Sequence, residues 1–153
     1  MFEFNRPEED RRSIEVWLEG FEREIDRLDY QGARARFDER VVTFSLQKDV
    51  VSGLDEFERE QWRTGWHRAS DMRWHTEGMR AMVSPDRLMA FVALTLESTG
   101  YHEDGRPFER PARASFVLVR ERVGAPWKGI HVHVSLRRGV PPESHGKRGP
   151  APA

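Results

Sequence analysis

The chain contains no cysteine. That excludes disulfides, thiolate nucleophiles and cysteine-ligated zinc or iron–sulfur centres, and it fits a reducing compartment. Nor does any apolar run approach the ~20 residues a membrane span needs. Met1-Phe2-Glu3-Phe4-Asn5-Arg6-Pro7 lacks the basic and apolar stretches of a secretory leader. A cytoplasmic protein with no membrane partner is expected. Charge of one sign is missing too. Lys and Arg number 25 against 26 Asp and Glu, leaving a net −1. No overall field therefore recruits nucleic acid, and the Arg-rich pieces, such as Arg34-Ala35-Arg36 and Arg137-Arg138, are short.

At 153 residues the chain suits one domain with a real core. We assign that domain to residues 1–137. Residues 138–153 are rich in Pro, Gly and charge, have almost nothing to bury, and are expected to be a disordered tail.

Helical periodicity comes first. Asn5 is a candidate cap, with Glu8, Glu9 and Asp10 at the positive end of the helix dipole. Ile14, Leu18, Phe21, Ile25 and Leu28 then form one apolar stripe, widened by Trp17. Tyr30-Gln31-Gly32 breaks that helix, and Ala33 to Phe37 reads as a second. Short strands follow at Val41–Ser45 and Val50–Val51. A third helix starts at Ser52 or Gly53, carries Leu54, Phe57, Gln61, Trp62 and Trp66, and ends near His67.

The period then changes to two. Strands are predicted over 71–82, 88–99, 111–123 and 127–137, with turns at Ser84-Pro85-Asp86, Glu103-Asp104-Gly105-Arg106 and Gly124-Ala125-Pro126. Helices followed by antiparallel strands mean α+β, with the helices on one face of a curved sheet. In the last strand, alternation puts Ile130, Val132 and Val134 opposite His131, His133 and Ser135.

Three stretches carry a family resemblance: Val51-Ser52-Gly53-Leu54; Arg113-Ala114-Ser115-Phe116-Val117-Leu118-Val119-Arg120; and Trp127 followed by Ile130-His131-Val132-His133-Val134-Ser135. They resemble the nuclear transport factor 2-like superfamily. The closest branches are its SnoaL-like domains and the association domain of calcium/calmodulin-dependent protein kinase. The resemblance implies a cone-shaped, strongly curved, mostly antiparallel sheet. Three helices from the N-terminal half pack on its concave face, and the cone is a natural ligand site.

Within that superfamily, ketosteroid isomerase uses a base aspartate and an oxyanion hole of tyrosine and protonated aspartic acid. Those positions fall on Ser45, on Phe21, and on Ser115 or a neighbour. A phenyl ring donates no hydrogen bond, and a lone serine is no carbon-acid base at neutral pH. That chemistry is therefore not carried over. The charged pocket positions of the kinase association domain fall on Val134 and near Ser45 and Ala93, so an apolar pocket is expected. Placing Val134 towards the cavity takes Ile130 and Val132 with it. His131 and His133 then face the outer surface of the sheet, where a homodimer or higher homo-oligomer is expected.

Two histidines at i and i+2 would hold zinc only with a third ligand such as His75 or Glu77. No ligand spacing supports that, so neither metal nor cofactor is expected. The acid–base candidates are Glu97, on the strand face of Ala93 and Thr95, together with His75 and Asp71. The candidate ligand wall is Trp17, Phe21, Phe44, Ser45, Trp62, Trp66, Trp74, Thr95, Ile130, Val132 and Val134. Two functions stay open. One is a pocket protein for an apolar or aromatic metabolite, with or without isomerase-, dehydratase- or cyclase-type chemistry. The other is a non-catalytic homo-oligomeric binding or assembly module.

Overall fold

A computed structural model describes residues 7–44 and 48–146. Helix α1 (Glu8–Arg27) starts at Pro7, in extended conformation, and has its three acids in the first turn. Its buried stripe is Ile14, Trp17, Leu18, Gly20 and Phe21. The proposed Asn5 cap lies outside the described residues. The helix ends at Leu28, whose left-handed backbone (φ 55°) returns its N–H to the Glu24 and Ile25 carbonyls. The break therefore precedes Tyr30. Asp29 then caps α2 (Tyr30–Arg34), accepting the Gly32 N–H at 2.9 Å. With α2 this early, Phe37 is free to open β1 (Phe37–Thr43), which pairs with β2 (Val51–Ser52).

The third helix, α3 (Leu54–Phe57), continues through a π turn (Glu58–Trp62), another α turn (Arg63–Gly65) and a 3-10 turn (Trp66–Arg68). Strand β3 (Ser70–Trp74) follows. The single strand expected over 71–82 is divided by a 3-10 turn at Thr76–Gly78 before β4 (Arg80–Val83). Arg11 of α1 donates to the Thr76 and Met79 carbonyls at 3.2 and 3.1 Å, drawing the interruption onto the helix. The long β5 (Met89–Tyr101), short β6 (Pro107–Glu109), β7 (Ala112–Val119) and β8 (Lys128–Leu136) complete the chain of elements.

The eight strands form one curved, unclosed sheet in the order β2-β1-β8-β7-β5-β3, with β4 and β6 also paired to β5. Only β1 and β8 run parallel among the described pairs. The helices cover one face. Ala90, Val92, Leu94 and Leu96 of β5 point into that face, as do Ala112, Ala114, Phe116 and Leu118 of β7, all buried. The alternate residues lie on the open face. The fold is the α+β architecture that the order of elements predicted.

The stretch from Gly139 was expected to be disordered. As far as His145, however, it is held against the sheet. Ser144 is buried, accepts the Tyr101 N–H at 2.9 Å and donates to the Arg68 carbonyl, while the His145 N–H reaches the Tyr101 carbonyl at 2.9 Å. One short polar side chain supplies the pairing that composition does not reveal.

Candidate functional site

The helix-covered face closes around Phe21. Its ring centroid lies 5.2 Å from Phe37, 5.6 Å from Trp17, 5.9 Å from Trp66, 6.2 Å from Trp74 and 6.5 Å from Phe116. Trp62 joins through Phe37 and Phe57, and stacks on Trp66 at 4.8 Å. Trp66 in turn stacks on Tyr30, over whose ring Arg63 lies at 4.4 Å. Trp17, Phe21, Trp62 and Trp74 were expected to line a pocket. They are buried in the hydrophobic core, packed ring against ring. Phe37 and Phe116, which complete the ring around Phe21, were not in the expected wall. The nearest signal for Phe116 was its place in a β7 alternation.

One polar feature is left inside. Among the described residues, the indole N–H groups of Trp17, Trp62 and Trp74 are buried and have no hydrogen-bond partner. A buried donor without an acceptor costs about 1–3 kcal/mol. The buried Trp127 differs, because its indole donates to Ser13 Oγ at 2.9 Å.

The last strand corrects the expected wall. The β7–β8 register shifts between Val117 and Leu118, so Leu118 faces Gly129 while Val117 faces His131. Ile130 is the extra residue of this bulge and leaves the face of Val132. Val132 is buried in the core. Val134 shares its face, opposite Ala114, yet is 42% exposed. The cone is uncovered there. Ser45 lies outside the described residues.

Phe44 and Thr95, also expected in the wall, are on the open face. Phe44 packs edge-on against His131 and His133, with centroids 5.7 and 5.1 Å apart. His131 Nδ1 donates to the Val42 carbonyl at 2.7 Å, which fixes that ring. His133 is exposed and pairs across the strands with Ser115. Strands β5 and β7 separate these histidines from His75, and among the described residues no three His, Asp or Glu side chains are gathered as a metal would need.

Three acid–base candidates also lie outside the cone. His75 contacts Thr95 Oγ1 through Nδ1 at 2.8 Å and Glu97 through Nε2 at 3.2 Å. Arg73 donates to Glu97 at 3.1 Å. The Arg73 hydrogen bond, then that from His75, holds the Glu97 carboxyl below the usual range. A half-exposed, paired carboxylate is an acceptor of hydrogen bonds rather than a tuned base. Asp71 is exposed at a bulge with φ 54°, accepting from Ser70, whose Oγ lies 2.6 Å from Tyr101 Oη.

The charged group that is buried escaped sequence reasoning. Asp10 is fully enclosed. It accepts from Arg87 Nε and Nη2 at 2.7 and 2.9 Å, and from Arg120 Nη2 at 2.7 Å. Arg120 also donates to the Arg87 carbonyl and lies 4.0 Å over the Trp127 ring. Hydrogen bonding from Arg87 is the main force holding the Asp10 carboxyl below its ordinary value, and burial opposes it. Both carboxylate oxygens accept from a guanidinium, and the cluster ties α1 to two hairpin ends.

No family model and no curated protein matches the chain. Solved structures do. A ketosteroid isomerase-like protein from Erwinia carotovora atroseptica superposes with a TM-score of 0.70 at 17% identity, over 85% of this chain and 98% of that one. A nuclear transport factor 2-like superfamily protein from Salmonella enterica gives 0.70 at 14%, over 88% and 97%. The CaMKII hub of S. rosetta gives 0.65 at 15%, over 82% and 95%.

Proposed function

We propose, on the premise of a nuclear transport factor 2-like fold, that the protein is a non-catalytic assembly module whose copies pair through the open face of the sheet. One observation carries this reading. Val42, Phe44, Met89 and Phe91 are 41%, 44%, 47% and 40% exposed on a sheet face that none of the described helices covers. A sheet face turned to water ordinarily presents polar side chains, and apolar surface concentrated in this way marks an interface. Val117 and Val119 lie on the same face in β7. A two-fold partner would place each patch on its own copy. A structure named for a hub shares the fold. The pairing of Glu97 with Arg73 and His75 also favours a module without acid–base chemistry.

Sedimentation equilibrium tests this. The wild-type chain of 17.9 kDa should sediment as a dimer or larger at about 10 μM, a concentration that a specific interface readily saturates. Phe91→Glu with Phe44→Glu should sediment as a folded monomer. A wild-type monomer at ten times that concentration would defeat the reading.

A second reading is that the cone accepts a small apolar molecule. The specific observation behind it is the trio of unpartnered indole N–H groups, beside an uncovered wall at Val134.

A further inference from the structure

We infer that two copies of the chain bind one zinc ion between them, each copy supplying His131 and His133. The inference rests on the pairing of copies through the open sheet face and adds a ligand to it. Within one chain the two histidines are an incomplete site, because among the described residues no third His, Asp or Glu is gathered with them. They are nonetheless arranged as ligands. Two positions apart on β8, they project from the same face, about 7 Å apart along the strand. The His131 Nδ1–H is fixed on the Val42 carbonyl at 2.7 Å. That bond leaves the lone pair of the neutral ring on Nε2. A backbone carbonyl behind the ring is a partner that metal-binding histidines ordinarily have. His133 is exposed, and Phe44 packs edge-on against its ring at 5.1 Å. Ser115 faces it across the β7–β8 ladder, so a hydroxyl interrupts the apolar surface at that point.

The second copy supplies the missing ligands because β8 lies in the middle of the apolar patch. Strand pairing sets Val42, His131, Val117 and Phe91 in one row across β1, β8, β7 and β5. A two-fold axis through such a patch brings its central strands onto their own copies. Packed sheets lie ~10 Å apart, a gap that two facing imidazoles span with a metal ~2 Å from each nitrogen. Two rings from each copy give four nitrogens, the number a tetrahedral zinc site takes. The donors set the class of metal. All are imidazole nitrogens, which suit zinc and its transition-metal neighbours, whereas calcium and magnesium take oxygen. Glu97, on the same face in β5, is committed to Arg73 and His75 and does not compete as a ligand.

The test titrates zinc chloride calorimetrically into the full chain after chelator treatment, and reads association by sedimentation equilibrium in zinc and in chelator. One zinc per two chains is expected. With zinc at roughly a hundred times its Kd, dimerisation should tighten about tenfold or more, because a ligand that favours the associated form draws the equilibrium toward it by mass action. His133→Ala changes an exposed side chain and should abolish both effects while pairing in chelator persists. In carbon–proton spectra the His131 and His133 ring signals should move with zinc, and the other four of the six histidines should stay. One zinc per chain with association unchanged, or zinc binding that survives His133→Ala, would overturn the shared site and leave the pairing of copies standing. So would a dimer that takes up no zinc. A chain that stays monomeric in zinc and in chelator alike would overturn the pairing as well. If His133→Ala does not fold, His133→Gln is measured under the same criteria.

Discussion

Replacing Asp10 by Asn keeps the shape of the side chain and removes its charge. Two guanidinium groups then face each other across a fully buried amide, Arg120 with its own side chain only 3% exposed. Removing one partner of a buried ion pair costs about 3–5 kcal/mol, because the remaining charge is left uncompensated. Against the ~5–15 kcal/mol of an ordinary domain, that is about a fifth of the total at the least. For a chain of this size it corresponds to a fall in Tm of about 6–20 °C. Urea unfolding followed by circular dichroism at pH 7 reads the loss directly, with the slope unchanged if the denatured state is unaffected.

The pH dependence has a definite sign. The folded pKa of Asp10 lies below its ordinary 3.8. Its stabilisation is therefore complete above that value and disappears as pH falls through the folded pKa. The gap between wild type and variant should stay constant from neutral pH down to about 5 and close below 3.8. Adding Arg120→Met should recover part of the loss, since it removes one stranded charge. A variant within ~0.5 kcal/mol of wild type at pH 7 would refute the assignment of this cluster as a buried staple.

Two further outcomes follow from the site geometry. Carbon-13 titration of the Glu97 carboxylate should give a midpoint below 4.5, and Arg73→Ala should raise it, because Arg73 is its foremost hydrogen-bond donor; a midpoint above 4.5 would restore Glu97 as a general-acid candidate. A Cβ on Gly129 would stand 2.6 Å from the Phe37 ring, too close to coexist with it. Gly129→Ala should therefore cost about 1–3 kcal/mol in a thermal melt, and an unchanged melt would mean that Phe37 can leave the aromatic ring around Phe21.

Legibility divides along physical lines. The stripe Ile14, Leu18 and Phe21 and the alternation of β5 and β7 were readable because one face of each element is buried, and a single period then governs the residue types. The interruption at Thr76–Gly78 was not readable, since Arg11, 65 residues earlier, draws it in. The bulge at Ile130 was equally hidden. Its cause is the pairing with β7, and within β8 the alternation of Ile130, Val132 and Val134 looks unbroken.

Composition and period thus determined an α+β chain with helices on one face of a curved sheet. The last strand was also correctly given an apolar side and a histidine side from Val132 onward. Tertiary structure alone decided what those sides do. Ring packing around Phe21 turned an expected ligand wall into core, because aromatic side chains from α1, α3's extension and three strands converge there. Long-range pairing likewise drew Asp10 from a helix first turn into a buried ion cluster 77 and 110 residues from its partners. A charge's neighbours in space, more than its place in the chain, set the cost of burying it.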